Sequence, residues 1–158
     1  MGGGRKRERR CGLFYAGAGL RYTLNGDTME HTILIVDDNP DDIEITKRVL
    51  MKLGCGADVE SAPRGEAALE RLRDAKALPS LILLDLKMPG MSGIDTLRNI
   101  RADQGLKHIP VIIVTSSALE ADEKESYSAG ANSFLHKAFE IDQFGRDLNS
   151  LLDLWLRA

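Results

Sequence analysis

The chain has 158 residues, 43% of them hydrophobic, and a formal net charge of -3, which allows one domain with a sizeable core and excludes a comfortable second one such as an attached output domain. The charge is uneven: residues 1–28 carry six Lys or Arg against two acids, and residues 29–158 carry fifteen against twenty-two, so the acidic body argues against a broad nucleic-acid face. Leu13 to Leu20 is too short for a membrane span and is broken by Gly17 and Gly19, while Cys11 and Cys55 offer neither a disulfide framework nor a zinc pattern, as expected of a reduced, cytoplasmic protein.

The run Arg5-Lys6-Arg7-Glu8-Arg9-Arg10 marks residues 1–28 as a disordered basic leader, with Met29 a plausible start for a folded domain over residues 29–158. Ile33 to Val36 predict a buried strand over about 32–36 that ends on Asp37-Asp38. Asn39 suits the cap of a helix over 40–53, and Pro40 its first turn, where proline's missing donor costs little. Gly54 and Gly56 end that helix. A strand over 57–61 and a helix over 65–75 follow. Leu81 to Leu84 then predict a strand over 81–85 that ends on Asp85, and Pro89-Gly90 forces a turn before a helix over 92–103. His108-Ile109-Pro110 restarts the chain as a strand over 110–116, because the residue before proline avoids the helical region. A helix over 119–129, with Glu120 to Glu125 as its solvated start, closes at Gly130 and leads to a strand over 132–136. The final helix, 140–156, places Ile141, Phe144, Leu148, Leu151 or Leu152 and Trp155 at intervals of three and four, a stripe for packing against a sheet that Trp155 helps to cover. Five strand–helix units in this rhythm imply a parallel sheet with helices on both faces.

Strands of such a sheet end together at its carboxyl edge, where open α/β folds build their sites. Asp37, Asp38 and Asp85 are therefore expected to meet there. Three crowded carboxylates repel one another, and a divalent cation reverses that cost; hard oxygen donors suit Mg²⁺ or Mn²⁺. Thr115, followed by Ser116 and Ser117, brings hydroxyls to the same edge, and Lys137 brings an ammonium. Cation, hydroxyl and ammonium together can neutralise the equatorial oxygens of a phosphoryl group moving onto a carboxylate. His31, His108 and His136 lack metal-ligand spacing, and the glycines at 2–4 and 17–19 lack the strand–turn–helix setting of a nucleotide loop.

Four ordered stretches carry a family resemblance: Ile33 through Pro40, Leu84 through Gly93, Pro110 through Ser116, and Gly130-Ala131 through Lys137. Together they resemble the receiver domain of two-component response regulators. The variants Asp38-Asn39-Pro40-Asp41-Asp42 and Thr115-Ser116-Ser117, with the late Trp155, are similar to the small stand-alone regulators partnered with phytochrome-type sensor histidine kinases. The resemblance implies a doubly wound (βα)5 flavodoxin-like fold with strand order 2-1-3-4-5. It implies that Asp85 accepts a phosphoryl group from a kinase phosphohistidine, and that Asp37, Asp38, Asp85 and the backbone carbonyl of Lys87 hold the metal. Thr115 and Lys137 would contact the phosphoryl oxygens, and Thr115 with Phe134 would form a conformational switch. Slow self-dephosphorylation, rather than turnover of external substrates, is implied as the end of the cycle. Output would pass to a partner protein or through a homodimer formed by the fourth helix, fifth strand and fifth helix, with neither nucleic acid nor membrane insertion involved.

Two positions bear separately on that expectation. The family usually has proline after the lysine, whereas Ala138 stands here, which rules out a cis proline bond and implies a different loop around Lys137. The Lys87 side chain, two residues beyond Asp85, is open to two roles: reaching the phosphoryl edge to alter phosphate lifetime, or remaining solvated while its backbone does the work. A phosphorylation-independent adaptor is the alternative function. A phosphatase of small esters is disfavoured, because Lys87 occupies the place where such enzymes carry a second aspartate.

Overall fold

Residues 31–74 and 76–157 are described in full by a computed structural model, which also gives the backbone of residues 12–15, 20–24 and 27–29. Three short strands come first: β1 (Gly12–Tyr15), β2 (Leu20–Leu24) and β3 (Asp27–Met29), paired antiparallel in the order β1-β2-β3. Over these segments the disorder expected of residues 1–28 gives way to strand pairing. Leu13-Phe14-Tyr15 and Tyr22-Thr23-Leu24 are strand-favouring residues, and Asn25-Gly26 between the paired Leu24 and Asp27 is a strong two-residue hairpin signal. For residues 1–11, 16–19 and 25–26 the expectation lies outside the described residues.

The remaining elements alternate as expected: β4 (Thr32–Val36), α1 (Pro40–Lys52), β5 (Asp58–Ala62), α2 (Gly65–Arg73), β6 (Leu81–Leu84), α3 (Gly93–Ala102), β7 (Val111–Thr115), α4 (Glu120–Ser128), β8 (Ser133–His136) and α5 (Ile141–Trp155). The five later strands are parallel in the order β5-β4-β6-β7-β8. Counted from β4, that is 2-1-3-4-5, the doubly wound order with its reversal between β4 and β6.

Successive side chains of a strand face opposite ways, and in the central strands both parities are apolar. Leu34, Val36, Ile82, Leu84, Val111 and Ile113 share one core cluster with Leu69 and Leu72 of α2 and Leu97 and Ile100 of α3. Ile33, Ile35, Leu81, Leu83, Ile112 and Val114 share the other with Val49 and Leu50 of α1 and Phe144, Leu148 and Leu152 of α5. Each such side chain, fully buried, stabilises the fold by about 1.5–3 kcal/mol relative to exposure. Trp155 packs against this second cluster and donates its indole N–H to Ser133 Oγ at 2.9 Å, so it covers the sheet as its position in the stripe implied.

Local chemistry sets the boundaries. The Asn39 side chain accepts from the Asp41 N–H at 2.9 Å with Pro40 opening α1, and Ser92 caps α3 from just outside it by accepting from the Asp95 N–H at 3.1 Å. By contrast, α4 buries only Ser126, leaving it with little apolar anchorage. Among the described residues no helix is long and apolar enough to cross a membrane.

Candidate functional site

Asp37, Asp38, Asp85, Thr115 and Lys137 stand at or just past the ends of their strands, whereas Phe134 lies within β8, and the backbone ladder carries them into place. The Asp37 N–H donates to Ala62 O at 3.2 Å and the Asp85 N–H to Val36 O at 2.9 Å, so pairing of Val36 with Leu84 sets the two aspartates side by side. Lys137 N–H donates to Thr115 O at 2.7 Å, joining the ends of β7 and β8. Beneath Asp85, the start of α3 comes so close that a Cβ on Gly93 would stand 2.1 Å from the Asp85 carbonyl oxygen; only glycine leaves that room.

The three acids converge as their strand positions implied. Asp37, Asp38 and Asp85 each offer a carboxylate oxygen, and these oxygens lie within 4.8 Å of one another. Asp37 and Asp85 are buried while Asp38 is exposed, which opens the cluster to solvent on one side. Backbone donors orient the two buried acids: Asn39 N–H to Asp37 Oδ1 and Leu86 N–H to Asp85 Oδ1, both at 2.9 Å. Burial raises the Asp85 carboxyl above its ordinary value, helped by the Asp37 charge and opposed by Lys137 and the backbone N–H groups of Leu86 and Lys87.

Lys137 brings the cation. Its Nζ donates to Asp37 Oδ2 at 2.8 Å and to Asp42 Oδ2 at 2.9 Å, with Asp42 in the first turn of α1. Burial alone would lower its pKa, but the hydrogen bonds to Asp37 and Asp42 and the Asp85 charge outweigh it, and the group stays an ammonium. No cis peptide bond occurs among the described residues, and Lys137 reaches the acids from an ordinary peptide to Ala138. Thr115 is fully buried at the end of β7, its Oγ1 accepting from the Ser117 N–H at 3.2 Å.

The Lys87 side chain turns away from the cluster. Its Nζ lies 3.3 Å from Asp122 Oδ2 on α4, and its side chain is 65% exposed. Asp122 in turn accepts from the Ser117 hydroxyl and is thereby held below its ordinary carboxylate range, with Lys87 adding to the effect. Phe134, half-buried on β8, packs against the core on the α2–α3 side and borders a cavity of about 350 Å³ with Ser117, Leu119 and His136. His136 and His31 bond elsewhere, to Ser116 O and Ser80 Oγ.

Sequence reasoning gave no role to Asp42 and treated Asp122 as part of a solvated helix start. For Asp42 a periodic signal was lacking, because Asp38 lies outside α1 and the partner of Asp42, Lys137, comes from the end of β8, 95 positions away. Asp122 likewise had no such signal, because its partners come from two other loops.

Three hard oxygen donors, two of them buried, with one ammonium on the group, form a set that fits a divalent cation. The same sheet edge also carries the Thr115 hydroxyl at the end of β7 and the Lys137 ammonium, which is bonded to Asp37.

Comparison with known proteins gives the same picture. The family model for the response regulator receiver domain matches residues 33–149. Chemotaxis protein CheY-3 of Vibrio cholerae is 37% identical over 121 residues, 77% of this chain and 91% of that protein. Among solved structures, the phosphorylated cyanobacterial phytochrome response regulator RcpA is 29% identical with a TM-score of 0.75, covering 81% of this chain and 95% of its own. The Mn²⁺-bound form of response regulator Rcp1 is 28% identical with a TM-score of 0.72, covering 81% and 96%.

Proposed function

The chain belongs to the response regulator receiver domain family, and from that premise we propose that Asp85 is the phosphoryl acceptor of a signalling module served by a sensor histidine kinase. The observation that carries this reading is the convergence of the Asp37, Asp38 and Asp85 carboxylate oxygens within 4.8 Å, with the Lys137 ammonium held against Asp37. Residues 29–158 constitute the receiver unit.

Asp37, Asp38 and Asp85, with the backbone carbonyl of Lys87, would hold Mg²⁺ or Mn²⁺, in line with the Mn²⁺ named for Rcp1. When bound, the cation supplies charge neutralisation at the phosphoryl oxygens and lowers the repulsion among the acids. An Asp85 carboxylate oxygen forms a bond to phosphorus as the P–N bond to the kinase imidazole breaks, and the bonding pair leaves with the ring nitrogen. Lys137 and the Thr115 hydroxyl orient and neutralise oxygens of the acyl phosphate. Attack of water on phosphorus returns the Asp85 carboxylate and inorganic phosphate, the slow self-dephosphorylation that ends the signal.

The Thr115 hydroxyl moves toward the modified Asp85, and Phe134 takes the space this leaves, its cavity-lined position and lack of a polar atom making the inward state free of any polar cost. Output then passes through the face of α4, β8 and α5, to a partner or a second copy; the slight apolar anchorage of α4 suits an element that shifts. Likeness to the phytochrome response regulator RcpA favours a phytochrome-type kinase as the donor.

Intact-mass measurement after incubation with acetyl phosphate and Mg²⁺ tests the assignment. One phosphoryl adduct, localised to Asp85 by peptide mapping and missing from Asp85→Asn, is the expected result. Full partner binding by Asp85→Asn, with no adduct in the wild type, would favour the adaptor instead.

A further inference from the structure

Lys137 is shared by acids from two different elements, one after β4 and one on α1. An ammonium has three protons. Two of them go to Asp37 Oδ2 and Asp42 Oδ2, at 2.8 and 2.9 Å, and among the described residues none goes to Asp85. The Lys137 side chain is 17% exposed and that of Asp42 35%, so their pairing is partly shielded from water and salt. Asp42 stands outside the group of three acids whose oxygens lie close enough to share a cation. Its hold on Lys137 therefore does not compete with a cation for the same carboxylate, whereas that of Asp37 does.

Building on the reading of Asp85 as acceptor, we propose that Asp42 is a positioning residue that retains the Lys137 ammonium on the α1 side of the site, so that phosphoryl transfer to Asp85 must first draw Lys137 off Asp42. The resting ammonium is then committed to Asp37 and Asp42 and not yet arranged to stabilise charge at Asp85. Developing negative charge on the phosphoryl oxygens supplies the competing attraction. Because Asp42 belongs to the first turn of α1, the strength of this restraint also depends on how that turn is seated.

The test compares Asp42→Asn with Asp41→Asn, which removes the same charge from the same turn at an exposed position. In cation-free protein labelled at lysine, the side-chain NMR resonance of Lys137, identified by its loss in Lys137→Met, should move in Asp42→Asn and stay in place in Asp41→Asn. With acetyl phosphate and Mg²⁺, Asp42→Asn should form the adduct roughly tenfold faster at saturating donor, the size of one charge-assisted hydrogen bond. The donor concentration for half-maximal rate should not change. In a Lys137→Met background, Asp42→Asn should have no further effect, since the restraint acts only through that ammonium. An unmoved Lys137 resonance, an unchanged or slower rate, or the same acceleration without Lys137 would overturn the proposal. If the wild type takes up no phosphoryl group, it is the acceptor reading that fails, and the Lys137 resonance alone still decides whether Asp42 holds the ammonium.

Discussion

At the amino edge of the parallel sheet one cation faces nothing but acceptors. Arg101 of α3 donates to Gly130 O at 2.9 Å, Lys107 O at 3.1 Å, Ile109 O at 2.8 Å and Asn132 Oδ1 at 2.8 Å, and the last of these also takes the Val111 N–H. At the carboxyl edge one ammonium, Lys137, serves Asp37 and Asp42, while among the described residues Asp38 and Asp85 beside them have no cation of their own within hydrogen-bond reach. The two edges are built from the same strands. One closes its polar accounts within the chain and so fixes the loops before β7 and β8; the other leaves carboxylates in excess, which makes it responsive to a cation or a phosphoryl group. Function in this fold resides where internal pairing is withheld.

The largest effect that could break this contrast comes from removing the amino-edge cation. Arg101→Met strips the donors from three loop carbonyls and from Asn132, and should lower unfolding stability by about 2–4 kcal/mol. Urea denaturation measures the loss. The rate of adduct formation at Asp85, well below the denaturation midpoint, should stay within about twofold of wild type, because no site residue touches Arg101. A stable Arg101→Met protein, or one with impaired phosphorylation, would mean that the two edges are not separable.

The converse substitution sharpens the contrast, because it should stabilise. Burial, with the charge of Asp37, holds the Asp85 carboxyl above its ordinary value of 3.8, against the pull of Lys137. A folded-state pKa above the unfolded one means that the native protein binds the Asp85 proton more readily than the unfolded chain does. Ionised Asp85 thus costs nothing below the ordinary carboxylate range, and its cost grows as pH rises through the folded pKa. In chelating buffer, Asp85→Asn should melt above the wild type at pH 7, with the advantage shrinking as pH is lowered toward 4. Added Mg²⁺ should narrow the gap at pH 7 by stabilising the wild type, the form that retains the full acid cluster. A destabilised Asp85→Asn at pH 7 would show that the carboxylate excess is no burden.

How far these edges could be foreseen differs, and the reason is physical. Strand ends were legible because both parities of Ile33–Val36, Leu81–Leu84 and Val111–Val114 are apolar, so each run has to stop where the first acid or hydroxyl appears. That alone brought Asp37, Asp85 and Thr115 to one edge, and the helix and strand bounds fell within one or two residues of their expected places. The pairings were not legible. Lys137 meets Asp42 across 95 positions and Arg101 meets Asn132 across 31, contacts that depend on loop paths rather than on periodicity. Over β1 to β3 the basic and glycine-rich composition masked a hairpin signal that Asn25-Gly26 did carry.

The smallest expected effect concerns the one lysine that sits near the acceptor yet belongs to neither arrangement. Lys87 follows Asp85 by two positions, and its backbone N–H acts on the Asp85 carboxyl, but its ammonium is turned to Asp122 on α4. With the Lys87 side chain 65% exposed, that pair contributes less than about 1 kcal/mol, because water and salt screen it. Lys87→Ala should therefore leave the melting temperature nearly unchanged. Its rate of phosphate loss from Asp85, followed by the decay of the adduct mass, should also stay within about twofold of wild type, since the backbone contact survives the substitution. A much larger change in either direction would mean that Lys87 leaves Asp122 once Asp85 is modified. The carboxyl edge would then recruit a second ammonium on demand, and the release of Asp122 would pass the change directly to α4.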